Sequence, residues 1–527
     1  MGIPSYFAHF VKQHRQIIKP VNRLNKPINN LYLDCNGFIY EGALKFDSEE
    51  VLIKSVCDKL IYYINLLKPN KKVFIAFDGV APVAKLDQQR KRRYLSWFQG
   101  ELLANFSKKN DVLTNDVSVQ KWNTSAITPG TLFMDALALG IKQRFQNPRE
   151  FGLEQLIISC ADEVGEGEHK IYEYIRKEPL YHKFTTTVIY GLDADLIMLT
   201  LNHLHISNQM YLFRETPEFI KSVDSTLNPN ELYLLDIPEF GKKIVEEFTP
   251  AENPISDYIF LFFLLGNDFL PHFPALNIRT NGIELLLNAY REAVLSKNLS
   301  LIADGKIVWK HLRLLIAYLS QNELTYIKRE YVQKAKGKHS KNKRSNHNIT
   351  PLKAFEDKLV NLPSTDRATE LYINPEETGW EARYYHSLFD IHGEERKKEI
   401  CQNYLAGLEW TFKYYSTGCV DWHWTYKYHY PPLFTDLIQY VPYYDTLLIP
   451  LENVANKAVS PYVQLSYVLP KQNLYLLPEL IREKLLLEKS DWYADKCDFQ
   501  WAFCKYFWEA HVKLPEIDIK ELEKTLL

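Results

Sequence analysis

Glycine is scarce in this chain, with 20 among 527 residues, where average usage is roughly 7%. Backbone that needs positive φ is therefore confined to few places, and motifs that group several glycines carry information. The seven cysteines (35, 57, 160, 401, 419, 497 and 504) form no C-x-x-C pair. That excludes a zinc pattern and a disulfide framework, and a reducing intracellular compartment is expected, cytoplasmic rather than nuclear. No basic-then-apolar leader opens the sequence, and Tyr6 stands where a myristoylation signal needs Ser or Thr. The longest wholly apolar run, Ile259 to Leu265, falls far short of the ~20 residues that cross a bilayer, so no membrane contact is expected. A charge excess is missing too: 63 Lys+Arg stand against 65 Asp+Glu, a net charge of −2. A uniformly basic nucleic-acid coat is excluded.

What the chain does have is aromatic residues, 14% of the total, and a recurrent strand-like run. Leu31 to Asp34, Lys72 to Asp78, Gln155 to Ser159 and Thr187 to Asp193 are short, apolar and β-branched or aromatic. Each is followed by helical spacing, so an α/β fold is expected: a mostly parallel central sheet with flanking helices over residues 1–325. Ile255 to Leu265 reads as a buried helix ending at Gly266-Asn267-Asp268. Lys334 to Arg344 carries six basic residues in eleven; residues 326–350 are expected to form a disordered basic linker, with nuclear import or RNA tethering as the alternative role. Residues 351–527 read as a helix-rich second region packed against the first. Nine of the 21 positions from Trp410 to Tyr430 are aromatic.

Ligands in parallel α/β sheets bind beyond the carboxyl ends of the strands, and those ends carry Asp34, Asp78 and Asp193. Four further acids sit in glycine-bearing motifs: Glu166 and Glu168 in Gly165-Glu-Gly-Glu-His-Lys170, Asp195 in Gly191-Leu-Asp-Ala-Asp195, and Asp268 in Gly266-Asn-Asp-Phe-Leu-Pro271. A single Asp closing a strand is usually a turn or helix cap. Seven acids together need a cation, because neighbouring carboxylates raise one another's pKa. An all-oxygen set suits Mg²⁺ or Mn²⁺, and two such ions ~3.5–4 Å apart would clamp a phosphodiester. Asp162 and Glu163 are read as solvated or supporting residues.

Immediately after Asp78, Pro82 opens a helix on which Lys85, Gln89, Arg92 and Arg93 share a face. Three cations and an amide beside a metal site make a pocket for a terminal phosphate, although most basic runs are only solvated faces. Tyr40, Trp422 and Trp424 are candidates for stacking on bases, the alternative being core packing.

These motifs, with Met1-Gly-Ile-Pro-Ser-Tyr-Phe7, Ile127-Thr-Pro-Gly-Thr131, Gly407-Leu-Glu-Trp410 and Trp422 to Pro431, resemble the XRN family of 5′→3′ exoribonucleases, within the flap-endonuclease-like nucleases. The resemblance implies a processive, Mg²⁺-dependent exonuclease on single-stranded RNA with a 5′-monophosphate, releasing mononucleotides. It implies that the seven acids hold two ions, that Lys85 serves catalysis and the phosphate pocket alike, and that the second region walls the site. Tyr40 replaces the family's stacking His, and Val83 its usual Arg. A minimal monomer is expected. A flap-type DNA endonuclease and an inactive RNA 5′-end binder are the alternatives.

Overall fold

A computed structural model describes residues 6–109, 122–214, 227–228, 231–341, 350–391, 393–450 and 457–527. Met1 to Ser5 of the opening motif lie outside them. Seven strands form one sheet: β1 (Ile18–Pro20), β2 (Asn30–Asp34), β3 (Lys72–Ala76), β4 (Gln155–Ser159), β5 (Thr187–Tyr190), β6 (Met210–Phe213) and β7 (Tyr233–Asp236). Their order is β1-β7-β6-β5-β2-β3-β4. The five strands from β6 to β4 run parallel, and only β7 and β1 pair antiparallel. The expected α/β sheet is present.

Side chains alternate across a strand, and the sheet uses both faces. Tyr32, Phe74 and Ile189 point into one core. Leu31, Leu33, Val73, Ile75, Val188 and Tyr190 point into the other. Burial on both faces is what makes these strands continuous apolar runs rather than alternating ones. The register places Asp34 opposite Ala76, and Ala76 opposite Ser159. Three strands therefore end level, and their following loops leave from one edge.

The first core does not stop at a domain boundary. It runs from Tyr6 through the buried helix Pro254–Phe263 to Trp410, Tyr414 and Phe503. The linker expectation is corrected here. A single helix spans Trp309–Lys341, so residues 326–341 are helical, while 342–349 lie outside the described residues. Leu312, Leu315, Ile316, Leu319, Glu323, Tyr326, Ile327 and Glu330 keep a three-four spacing and are all buried, so the apolar face continues past 326. Even Lys334 is held, 2.8 Å from Glu370.

The basic helix is Val83–Lys109. A third cluster packs its first turn, with Val80, Ala81, Val83 and Leu86, against Val463, Leu465 and Leu469 near the C-terminus. Buried Arg90 fixes it further by donating to the carbonyls of Pro515 (2.8 Å) and Trp492 (3.0 Å). Among the described residues, no helix is long and apolar enough to cross a membrane.

Candidate active site

The level strand ends deliver the acids to one cavity of about 740 Å³, lined by Asp34, Asp78, Glu166, Glu168 and Asp193 together with Lys85, Gln89, Arg92 and Arg93. Asp34 closes β2, Asp78 lies two residues beyond β3, and Asp193 three beyond β5. The loop after β4 brings Glu166 and Glu168 to the start of the helix Gly167–Lys177. Asp78 is gripped from both sides: Gly167 N–H donates to its Oδ1 (2.7 Å), and the Asn36 amide donates to its Oδ2. Gly167 has a steric reason to be glycine, because a Cβ there would lie 2.8 Å from Asp34 Oδ1.

Asp195 and Asp268 do not line this cavity. They stand behind it, and Asp268 is joined to it through Lys85, whose ammonium lies 2.5 Å from Glu166 Oε2 and 2.8 Å from Asp268 Oδ2. Burial alone would lower the Lys85 pKa, but Asp268, Glu166 and Glu168 outweigh it and hold the ammonium well above its usual range. Burial likewise works against the Asp268 charge, yet Lys85 keeps that carboxyl below the ordinary range. Asp34, Asp78, Asp195 and Glu168 are frustrated instead. Burial, then the charges of Asp78, Asp193 and Glu166, pushes Asp34 well up. Burial and Glu166 raise Asp78 to about 6. Burial and Asp268 raise Asp195 to about 7, and Glu168 is raised by burial and then Glu166.

One lysine does not neutralise such a cluster, and the residues fit a cation. Asp34 Oδ1 is buried without a hydrogen-bond partner. Carboxylate oxygens of Asp34, Asp78 and Glu168 lie within 4.8 Å of one another, as do ligand atoms of Glu166, Glu168 and His169. An oxygen-rich donor set of this charge suits a hard divalent ion. Three residues here escaped the sequence reading. Tyr414 donates to Glu166 Oε1 (2.7 Å) and stacks on His169 at 3.8 Å. Tyr415 hydrogen-bonds Asp195. Asn36 orients Asp78 by the amide bond already noted.

The basic face sits as expected across the cavity. Arg93 Nη2 donates to Thr128 Oγ1 (2.5 Å), while its Nη1 and Gln89 Oε1 are buried with no partner. Burial lowers the Arg93 pKa to about 10. A desolvated, anchored guanidinium with one edge open can receive an anion.

Comparison with known proteins matches residues 1–216 to the family model described as "XRN 5′-3′ exonuclease N-terminus", and residues 249–370 and 358–527 to that described as "Xrn1 helical domain". The chain belongs to the XRN 5′-3′ exonuclease family. The "5′-3′ exoribonuclease 2" of Debaryomyces hansenii is 26% identical over an alignment that covers all of this chain and 70% of the relative. The Drosophila melanogaster "5′-3′ exoribonuclease 2 homolog" is also 26% identical, with 71% of it covered. The Saccharomyces cerevisiae "5′-3′ exoribonuclease 1" shares 26% identity as well, but only 43% of its length is spanned.

Within this XRN fold the aromatic expectations divide. Tyr40 lines the cavity and is 46% exposed. Trp422 and Trp424 do not line it. Trp424 stacks on Trp410 at 5.0 Å and 24°, and the Trp422 carbonyl accepts from Val83 N–H. The geometry thus assigns Trp424 to packing, where the long Trp410 helix (Glu395–Ser416) needs a flat neighbour. The indoles that do face the cavity are Trp97 and Trp122. Trp97 falls on the same helix face as Gln89 and Arg93, a spacing that could have revealed it.

Proposed function

We propose that this chain is a 5′→3′ exoribonuclease that hydrolyses single-stranded RNA carrying a 5′-monophosphate, with two Mg²⁺ ions that Mn²⁺ can replace. Membership of the XRN family supports the exoribonuclease activity. The single observation that carries the end specificity is the Arg93 edge, buried and unpartnered, in the same cavity as Asp34, Asp78, Glu166, Glu168 and Asp193.

Arg93, Gln89 and Arg92 hold the terminal phosphate, with Lys85 at the boundary between phosphate and acids. Asp34, Asp78, Glu166, Glu168 and Asp193 hold divalent ions, with Asp195 and Asp268 behind them. The chemistry such ions supply when bound is activation of the attacking water and charge neutralisation at the leaving oxygen. Tyr40, Trp97 and Trp122 offer faces for the first bases. The reaction breaks the bond between the second nucleotide's phosphorus and the first nucleotide's O3′. Water's hydroxyl goes to phosphorus and its proton to the departing oxygen. Gln464 and Asn473, from the second region, also line the cavity; this wall favours an unpaired strand over a flapped duplex. A monomer in a reducing, cytoplasmic setting suits seven free cysteines.

The test is decay of 3′-labelled single-stranded RNA bearing 5′-monophosphate, 5′-hydroxyl or 5′-triphosphate, with Mg²⁺ or EDTA. Monophosphate RNA should decay fastest and only with metal. Equal decay of all three ends removes the phosphate-pocket assignment, and decay in EDTA removes the metal assignment.

A further inference from the structure

The basic helix separates two cavities. One face, with Lys85, Gln89 and Arg93, lines the cavity of the acids. The next face, with Ala84, Gln88, Lys91 and Leu95, lines a second chamber of about 480 Å³, within the roughly 300–1,000 Å³ of small-molecule pockets. Arg92 lines both. Asp268, bonded to Lys85 of the first cavity at 2.8 Å, lines only the second. A single layer of side chains is therefore the wall between them.

Four atoms of this chamber's residues are buried without hydrogen-bond partners: Gln88 Oε1, Asn267 Nδ2, His429 Nδ1 and the Tyr430 hydroxyl. Buried polar atoms are nearly always paired, so four on one small cavity call for a polar occupant. They comprise an acceptor, a donor, an imidazole nitrogen and a hydroxyl that can play either part, the mixture that the edge of a nucleobase satisfies. Burial lowers the His429 pKa to about 3 and keeps the ring neutral. Flat faces surround them: His429 lies parallel to His511 at 5.3 Å, and Tyr428 and Trp508 line the same space. Of the chamber's long cations, Lys91 is engaged by Asp87 at 2.6 Å and Arg279 by Glu509 at 2.5 Å. Arg92 makes no direct ion pair among the described residues, and it stands at the wall.

We propose that this chamber binds a nucleoside 5′-monophosphate, with the base among His429, Tyr428 and Trp508 and the phosphate toward Arg92, and that its first occupant is the nucleotide just cut from the RNA. The source of that nucleotide rests on the exoribonuclease reading; the binding does not. A product held there shares Arg92 with the phosphate pocket and leaves Arg93 and Gln89 free for the next 5′ end.

The whole protein is titrated with AMP and, separately, photolabelled with 8-azidoadenosine 5′-monophosphate and mapped by peptide. Label on peptides containing Tyr428 or Trp508 is expected, weakened at least tenfold by Gln88→Leu and by His429→Phe but kept in Arg93→Met, which empties only the first cavity. Label confined to peptides of Tyr40 or Trp97, or chamber label lost in Arg93→Met and kept in the chamber variants, overturns the proposal. So does the absence of saturable AMP binding at millimolar concentration, which leaves the chamber to water. Should a variant fail to fold by circular dichroism, labelling of the unaltered protein decides. RNA decay is followed in the same preparation: a labelled chamber without decay overturns only the source of the nucleotide, and decay without label overturns the chamber.

Discussion

Arg93 offers the sharpest test of end recognition because its two nitrogens do different things. Nη2 is anchored on Thr128 Oγ1, and Nη1 is buried with nothing to bond. The anchor fixes the guanidinium before substrate arrives, so little side-chain entropy is lost on binding. A hydrogen bond to a charged partner contributes about 1.5–3 kcal/mol, and every 1.36 kcal/mol is a factor of ten. Arg93→Met should therefore lower kcat/KM for 5′-monophosphate RNA by about 10–150-fold, while kcat/KM for 5′-hydroxyl RNA, which lacks the partner, changes little. Arg93→Lys keeps the charge but loses the fork, and should fall between the two. The assay is single-turnover decay of 3′-labelled RNAs differing only at the 5′ end. An equal fall on both ends would show that Arg93 supports the Thr128 loop rather than reading phosphate.

Three further predictions concern the acids and their surroundings. Asp193→Ala should abolish RNA decay in Mg²⁺ while RNA binding remains measurable by fluorescence anisotropy; retained turnover refutes its role. Lys85→Met removes the one cation between Glu166 and Asp268 and should destabilise the metal-free protein by about 3–5 kcal/mol, as expected when one partner of a buried pair is lost. Melting temperature compared in EDTA and in Mg²⁺ checks this, and an equal deficit in both conditions would show that ions and Lys85 do not share the same carboxylates. At Gly407 a Cβ would lie 2.6 Å from Leu270 and 2.9 Å from Trp424, so Gly407→Ala should cost about 1–3 kcal/mol by overpacking, and an unshifted melting curve would refute that close approach.

The sheet and its acids were legible because both are local signals. A strand buried on both faces is a continuous apolar run, and an acid at its carboxyl end is fixed by chain direction alone. The phosphate face was legible from helical spacing for the same reason. What escaped depends on residues distant in sequence. Tyr414 reaches Glu166 across 248 positions, and no local pattern distinguishes it from the other aromatics around it. Trp424 looked like a stacking platform because composition shows an aromatic face without showing that Trp410 already covers it. The linker boundary at 326 misled because the basic run from Lys334 was extended back over a helix whose buried three-four spacing continues to Glu330. Lys85 had two assigned roles, and the geometry shows why both were suggested: its ammonium contacts acids, and its position borders the phosphate pocket.

The Tyr414 bond to Glu166 also sets an order in time. A ribosome that has extruded the chain through Asp268 has made every one of the seven acids and the whole phosphate face. It has not yet made Tyr414, which fixes Glu166, nor Gln464, whose side chain accepts from Ala81 N–H at 3.1 Å, nor the Trp492 and Pro515 carbonyls that hold Arg90. The acids are thus gathered early in synthesis and locked late. A growing chain carries the acids of a nuclease without its finished cavity while it is still tethered to its own message.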